Sequence, residues 1–353
     1  MDFTFSDEQR MMAESLRELA TDICSAATLR AVFEGTDALA AERWTRLAEL
    51  GLLGVLAPQA CGGMGLADVD FVLLSEETGR AALPEPFVEQ AALAVPLVAE
   101  LAAVPAAAAL LPQLATGAAR IALTHTENPH ALLPPGVTHW LLCSDTAIEL
   151  ATAADVAVSR LRSLDAGLQL GAAQLAAGRG MPLASAAAAQ AASARLLNRG
   201  AVHAAAQSLG VAGRLLELAA AYARERVQFG KPIGAYQAVK HHLASVAVKL
   251  EFARAVVYAA ATRLGQLEAR AAAAASHAKL AATAAADLAA RTAIQVHGAM
   301  GYSWELDLHF YMKRAWSLAG RWGDHNFHAR RVQSLVCGGA LGLGPEQSFA
   351  AAS

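Results

Sequence analysis

Alanine-rich runs fill the second half of this chain, and they restrict its fold more than any other feature. Stretches such as 186–192 and 271–275 favour helix because alanine loses no side-chain entropy there. The pattern predicts long helices over 186–224, 236–264, 268–298 and 307–318, with another over 324–336. Successive helices with apolar faces make a bundle. Their small side chains allow close contacts and leave further faces for subunit packing.

The first third is also helical. Ser6 is a helix cap, with Asp7 and Glu8 in the first turn and Leu16, Leu19 and Ile23 at helical spacing. Further helices are expected over 40–50, 69–79 and 87–118. Gly62-Gly63-Met64-Gly65 reads as a turn, and Leu83-Pro84-Glu85-Pro86 as a break. The texture changes after 118. Short runs at 119–124, 140–143, 146–150 and 156–158 sit between turn residues and read as strands. The expected division is a helical domain over 1–118, a β domain over 119–183 and a helical bundle over 184–345.

Charge and composition exclude several classes. The net charge is −3, which offers no overall field to nucleic acid or an anionic membrane. The apolar run 93–111 contains Glu100, Pro96 and Pro105, so it reads as buried helices and not a membrane span. The start lacks the basic segment of a signal peptide. The cysteines at 24, 61, 143 and 337 have no metal spacing and suit reduced thiols in a cytoplasm. Dinucleotide, P-loop, HExxH and GxSxG motifs are missing. His241, His242, His309, His325 and His328, with Asp324, read as ordinary polar or interface groups, and no metal is expected.

Two stretches are more specific. In Tyr222-Ala223-Arg224-Glu225-Arg226-Val227-Gln228-Phe229-Gly230-Lys231-Pro232-Ile233-Gly234, a helix ends and a basic turn follows. This suits anion binding or a helix end matched to its dipole. In Ile294-Gln295-Val296-His297-Gly298-Ala299-Met300-Gly301-Tyr302, a helix runs into a glycine-punctuated loop. Such a loop lets backbone N–H groups approach a ligand, or simply ends the helix.

At these residues the chain resembles the acyl-CoA dehydrogenase family. Phe5-Ser6-Asp7-Glu8-Gln9, Leu47-Ala48-Glu49-Leu50-Gly51-Leu52-Leu53-Gly54, Cys61-Gly62-Gly63-Met64-Gly65 and Glu76-Glu77-Thr78-Gly79-Arg80 carry the early part of the likeness. Arg226-Val227-Gln228-Phe229-Gly230-Lys231-Pro232-Ile233 and Gln295-Val296-His297-Gly298-Ala299-Met300-Gly301-Tyr302 carry the later part. The resemblance implies a helical domain, a β domain, a four-helix bundle, FAD, and a dimer or dimer of dimers. It implies that Arg226, Gln228, Phe229 and Gln237 contact the FAD of a neighbouring subunit. Gln295, His297, Gly298 and Gly301 would lie along the flavin pyrophosphate. Ala299 departs from the pattern, which more often has a second glycine there.

The family reaction is α,β-dehydrogenation of an acyl-CoA, with a glutamate removing the α-proton while the flavin accepts a hydride. By resemblance that glutamate falls at Trp322 or, in other members, near Gly200. Neither residue can take a proton. Asp324 and His203 are the nearest substitutes for a displaced base. The centre departs as well: Thr126-Glu127 is followed by Asn128-Pro129-His130 instead of Gly-Ser-Asp, and the β domain looks shortened. Both departures resemble the short, base-lacking subunit of the heterotetrameric steroid-catabolic acyl-CoA dehydrogenases. That likeness implies an α2β2 assembly with a base-bearing acyl-CoA dehydrogenase partner, a steroid-derived CoA thioester as substrate, and electron-transferring flavoprotein as a possible acceptor. The alternatives are a self-sufficient FAD enzyme with a displaced base and a non-catalytic acyl-CoA-binding scaffold.

Overall fold

The computed structural model describes residues 4–265 and 268–342; the expected outer boundaries at 1 and 345 fall outside them. The chain begins with helices α1 (Asp7–Ile23), α2 (Ala26–Glu34), α3 (Ala40–Glu49) and α4 (Asp68–Arg80). Ser6 caps α1 in a two-way exchange. Its Oγ accepts from the Gln9 amide at 3.3 Å, and its own amide donates to Gln9 Oε1 at 2.7 Å. The 62–65 glycines form a tight return, with Gly62 and Gly65 both at positive φ.

The helices expected over 87–118 form as short pieces. A wide π turn occupies Glu89–Ala94, followed by α5 (Val95–Glu100) and α6 (Pro105–Ala115). Pro105 starts α6, where its missing N–H leaves no helical bond unmade. The apolar residues of this stretch are buried: Leu93, Val95, Leu97, Val98, Leu110 and Leu111 all belong to the main core. Among the described residues, no helix is long and apolar enough to cross a membrane.

Strands β1 (Ile121–Thr124), β2 (Ala131–Leu132), β3 (His139–Cys143), β4 (Ala147–Thr152), β5 (Val156–Leu161), β6 (Leu170–Leu175) and β7 (Met181–Ser185) follow. They form a mixed sheet in the order β1-β3-β4-β7 and a smaller sheet in the order β2-β6-β5. Among the described residues, β1 and β3 are the one parallel pair. Trp140 fills a small core of its own with Ala122, Ala131, Ala151 and Val156.

The rest is the helical bundle. Its elements are α7 (Ala186–Glu225), a hairpin of β8 (Val227–Gln228) and β9 (Lys231–Pro232), then α8 (Gln237–Ala261), α9 (Glu268–His297), α10 (Leu308–Gly320) and α11 (His325–Cys337). The 40-residue α7 is the spine. It meets α4 at two glycines. A β-carbon at Gly79 would lie 2.0 Å from the Gln207 carbonyl, and one at Gly210 would lie 1.9 Å from the Glu76 carbonyl. The two backbones therefore touch, and the first helices dock rigidly on the bundle. Arg314 of α10 crosses to the β region, pairing with Asp165 and donating to the Leu83 carbonyl at 2.8 Å.

Candidate functional site

The hairpin after α7 projects Phe229 into solvent. Phe229 and Gly230 form its two-residue turn, with φ of +54° and +80°. That turn matches the right-handed twist of its strands, but glycine or asparagine normally takes both central places. A phenylalanine there is strained by about 1–3 kcal/mol, and its ring is 92% exposed. Tyr236 supports the turn, its hydroxyl donating to the Gln228 carbonyl at 3.2 Å and its ring lying 4.3 Å from Lys231 Nζ. Arg226, at the end of α7, and Gln228 are exposed; Gln237, the first residue of α8, is exposed beside them.

The end of α9 lies next to the end of α7, because Tyr222 stacks on His297 with ring centroids 4.2 Å apart. His297 Nδ1 donates to the Ala293 carbonyl at 2.7 Å, which leaves Nε2 as the ring's acceptor. Burial holds its pKa below the ordinary value, favouring the neutral ring. Gly298 ends the helix at φ +59° with open space around its α-carbon. Gly301 is buried, and a β-carbon there would lie 2.8 Å from the Ile294 carbonyl, so only glycine lets the loop fold back. Gln295 and Ala299 face solvent. Both sequence stretches thus meet at one end of the bundle. Exposed apolar side chains cluster on the same segments: Val227, Phe229, Met300, Tyr302 and Trp304.

The positions expected to carry a base present the opposite picture. Gly200 and Trp322 are in contact, and a β-carbon at Gly200 would lie 2.1 Å from the Trp322 ring. The indole is 1% exposed. The loop of the β region closes over the same place: the Trp322 amide donates to Asn128 Oδ1 at 3.4 Å, and the His125 ring lies 5.7 Å away. His125 is tied to α7 by Nε2 donating to Ser193 Oγ at 2.9 Å. The indole fills the place beside Gly200 under this loop. Trp322 adopts φ +56°, a second strained aromatic.

The two substitute bases are engaged elsewhere. His203 is fully buried, with Nδ1 2.9 Å from Ser75 Oγ and Nε2 3.3 Å from Asp68 Oδ1. Arg199 shares Asp68, and against the cost of burial the hydrogen bond with His203 and the Arg199 guanidinium hold that carboxyl below the ordinary range. Asp324 is exposed and caps α11, accepting from the Phe327 amide at 2.8 Å. His328 lies inside, between Ser276 and the Trp322 carbonyl, while His325 is exposed one turn away.

Sequence reasoning overlooked three residues around Trp322: Asn128, His328 as its carbonyl donor, and Lys279. Lys279 carried a signal. It is the sole Lys, Arg, Asp or Glu between Arg270 and Asp287, set among alanines. Asn128 sits beside the retained Thr126-Glu127 but gives no cue to its partner.

The architecture and the two clustered segments define a class. Residues 6–118 match the description "Acyl-CoA dehydrogenase, N-terminal domain", and residues 189–333 match "Acyl-CoA dehydrogenase, C-terminal domain". The sheets lie between the two matches. The chain belongs to the acyl-CoA dehydrogenase family. It is 31% identical over 331 residues to the acyl-CoA dehydrogenase IpdE2 of Mycobacterium tuberculosis, covering 94% of this chain and 98% of that one. It is 32% identical to acyl-CoA dehydrogenase FadE34 of the same organism, covering 95% of this chain and 49% of that one. Among solved structures, the Tcur3481–Tcur3483 steroid ACAD superposes with a TM-score of 0.79 at 25% identity, over 95% of this chain and 99% of that one. The ChsE4–ChsE5 complex from Mycobacterium tuberculosis gives 0.82 at 23%, over 96% and 99%.

Proposed function

We propose that this chain is the base-lacking subunit of a heteromeric acyl-CoA dehydrogenase. In this reading it completes an FAD site in its partner, and the assembly dehydrogenates a steroid-derived CoA thioester between its α and β carbons. The single observation that carries the reading is the Trp322–Gly200 contact. Both places where the family puts its glutamate are spent on packing against each other.

The residues present fit one end of FAD and not the other. Arg226 is an exposed guanidinium that can take a phosphate through two N–H groups. Gly298 and Gly301 bring the loop backbone close to a pyrophosphate, with the Gln295 amide beside it. Phe229, Gln228 and Gln237 offer a flat apolar ring and amides to the rest of the cofactor. In this reading the flavin ring's place in this chain is taken by Trp322, which packs on Gly200 and donates to Asn128. These groups therefore serve a flavin whose ring rests in the partner. Bound FAD supplies the hydride acceptor, while the proton leaves to a carboxylate of the partner. In this chain, Arg226 and the glycine loop bind and orient, and the 302–304 aromatics exclude water at the joint.

The relatives support the assembly. Tcur3481–Tcur3483 and ChsE4–ChsE5 are paired by their names, the first described as a steroid enzyme. This chain matches about half the length of acyl-CoA dehydrogenase FadE34. Among the described residues the cysteines are unpaired, which agrees with a reducing cytoplasm. Electron-transferring flavoprotein is the acceptor consistent with the family.

The test is the visible spectrum of the chain alone and co-purified with an acyl-CoA dehydrogenase encoded beside it, before and after adding steroid-derived CoA thioesters. Flavin absorbance that bleaches only in the complex is expected. A yellow homomer that bleaches by itself refutes the reading, as does a complex without flavin.

A further inference from the structure

Lys279 is a buried cation with no part in the function above. It is 1% exposed on a face of α9 that it shares with Ala275, Ala278 and Ala282. An ammonium group has three N–H donors and no acceptor. Lys279 Nζ meets three carbonyls: Ala319 at 3.2 Å, Arg321 at 2.7 Å and Gly323 at 3.0 Å. Ala319 is in the last turn of α10, where carbonyls lack helical partners and the negative end of the helix dipole lies. Arg321 and Gly323 are the residues immediately before and after Trp322. The chain on both sides of the indole is thus drawn onto one side chain.

Such a clamp meets a need. Trp322 and Gly323 stand in succession at φ +56° and +93°, a backbone path that a tryptophan does not take unaided. The other ties reach this turn at single points. Asn128 takes the Trp322 amide, His328 donates to its carbonyl, and the Arg321 guanidinium reaches Glu89 at 2.9 Å. Lys279 alone among these binds on both sides of the indole.

We propose that Lys279 is the positioning residue that holds Trp322 against Gly200 and so keeps this chain's own cleft shut. The proposal rests on the reading that this cleft is unused, and it deepens that reading. One lysine ensures that the assembly has a single kind of working site, because an indole released from Gly200 would reopen the space between α7 and the 125–130 loop.

The experiment is fluorine NMR of the full chain labelled with 5-fluorotryptophan, with signals assigned by single Trp→Phe replacements. Trp44 and Trp140 are buried and report on the two cores; Trp304 is exposed and reports on solvent. The readout is each signal's shift between H2O and D2O. In Lys279→Met the Trp322 signal is expected to gain a several-fold larger solvent shift, approaching that of Trp304, with Trp44 and Trp140 unchanged. Lys279→Gln, which keeps two N–H donors, is expected to give an intermediate shift. It serves as the deciding variant if the methionine protein does not fold. A Trp322 signal that stays shielded in either folded variant overturns the proposal. So does a loss of shielding at Trp44 and Trp140 together with Trp322, which would make Lys279 a general support of the fold. Flavin that bleaches with a CoA thioester in the unmodified chain alone would refute the partner-subunit reading while leaving the fluorine result to judge the clamp.

Discussion

At Gly200 the side chain is missing and at Trp322 it is the largest available, and the two fit because of that difference. A methyl group at position 200 would sit inside the indole. Gly200→Ala is therefore expected to cost about 1–3 kcal/mol through overpacking, and Trp322→Ala about 3–5 kcal/mol through the cavity it leaves. Urea unfolding of both singles and the double should give a double-mutant cost below the sum, with a coupling of about 0.5–3 kcal/mol. Strict additivity would separate the two residues. Phe229 poses the same question from outside. Glycine removes its left-handed strain, so Phe229→Gly should leave thermal stability of the chain equal or higher. Flavin retention by the co-purified complex should fall. A stable variant that keeps its flavin would deny the ring any role at the joint.

At the scale of elements, the site is made by ends of helices: α7 and α9 through the Tyr222–His297 stack, α10 and α11 through the turn carrying Trp322. The helices were legible because alanine periodicity sets them locally, and α7, α8, α9, α10 and α11 fall close to the expected spans. Strands β6 and β7 were not legible. Leu170-Gly171-Ala172-Ala173-Gln174-Leu175 and Met181-Pro182-Leu183-Ala184-Ser185 carry little β preference, and pairing with β5 and β4 decides their state. The π turn at Glu89–Ala94 was equally hidden, since its buried side chains look helical in sequence. His328 ties α11 to this site. Burial, with Lys279 and Arg331 nearby, lowers its pKa to about 4. The folded chain then binds fewer protons than the unfolded one between about 6.5 and 4. Its contribution to stability is complete above that window and lost as pH falls through it. His328→Gln, which can still donate to the Trp322 carbonyl, should flatten the fall in unfolding free energy between pH 6.5 and 4. An unchanged slope would exclude the histidine.

Over the whole molecule, helices, sheets and bundle are joined by contacts between residues far apart in sequence. Gly79 and Gly210 let α4 and α7 touch, and Arg314 spans from α10 to the buried Asp165. Asp165→Asn strands a buried guanidinium, and a loss of about 3–5 kcal/mol is expected in denaturant unfolding. A loss below ~1 kcal/mol would show that water reaches Arg314 and that the joint is looser than the side chains imply. The bundle end with its exposed aromatics lies outside these joints, where a second subunit can cover it.

The sequence by itself determined the helical character of both ends, the change of texture at the centre and the glycine-punctuated helix ends at 222–234 and 294–302. Each of these is local, written in a few consecutive residues whose backbone preferences need no distant partner. Only the tertiary structure decided that Gly200 and Trp322 fill one another, that Asn128 and His328 fasten the same turn, and that Lys279 gathers the carbonyls on both sides of it. Those facts depend on which buried donor meets which acceptor. That is settled by close packing between residues up to 194 positions apart, where no periodicity can record it.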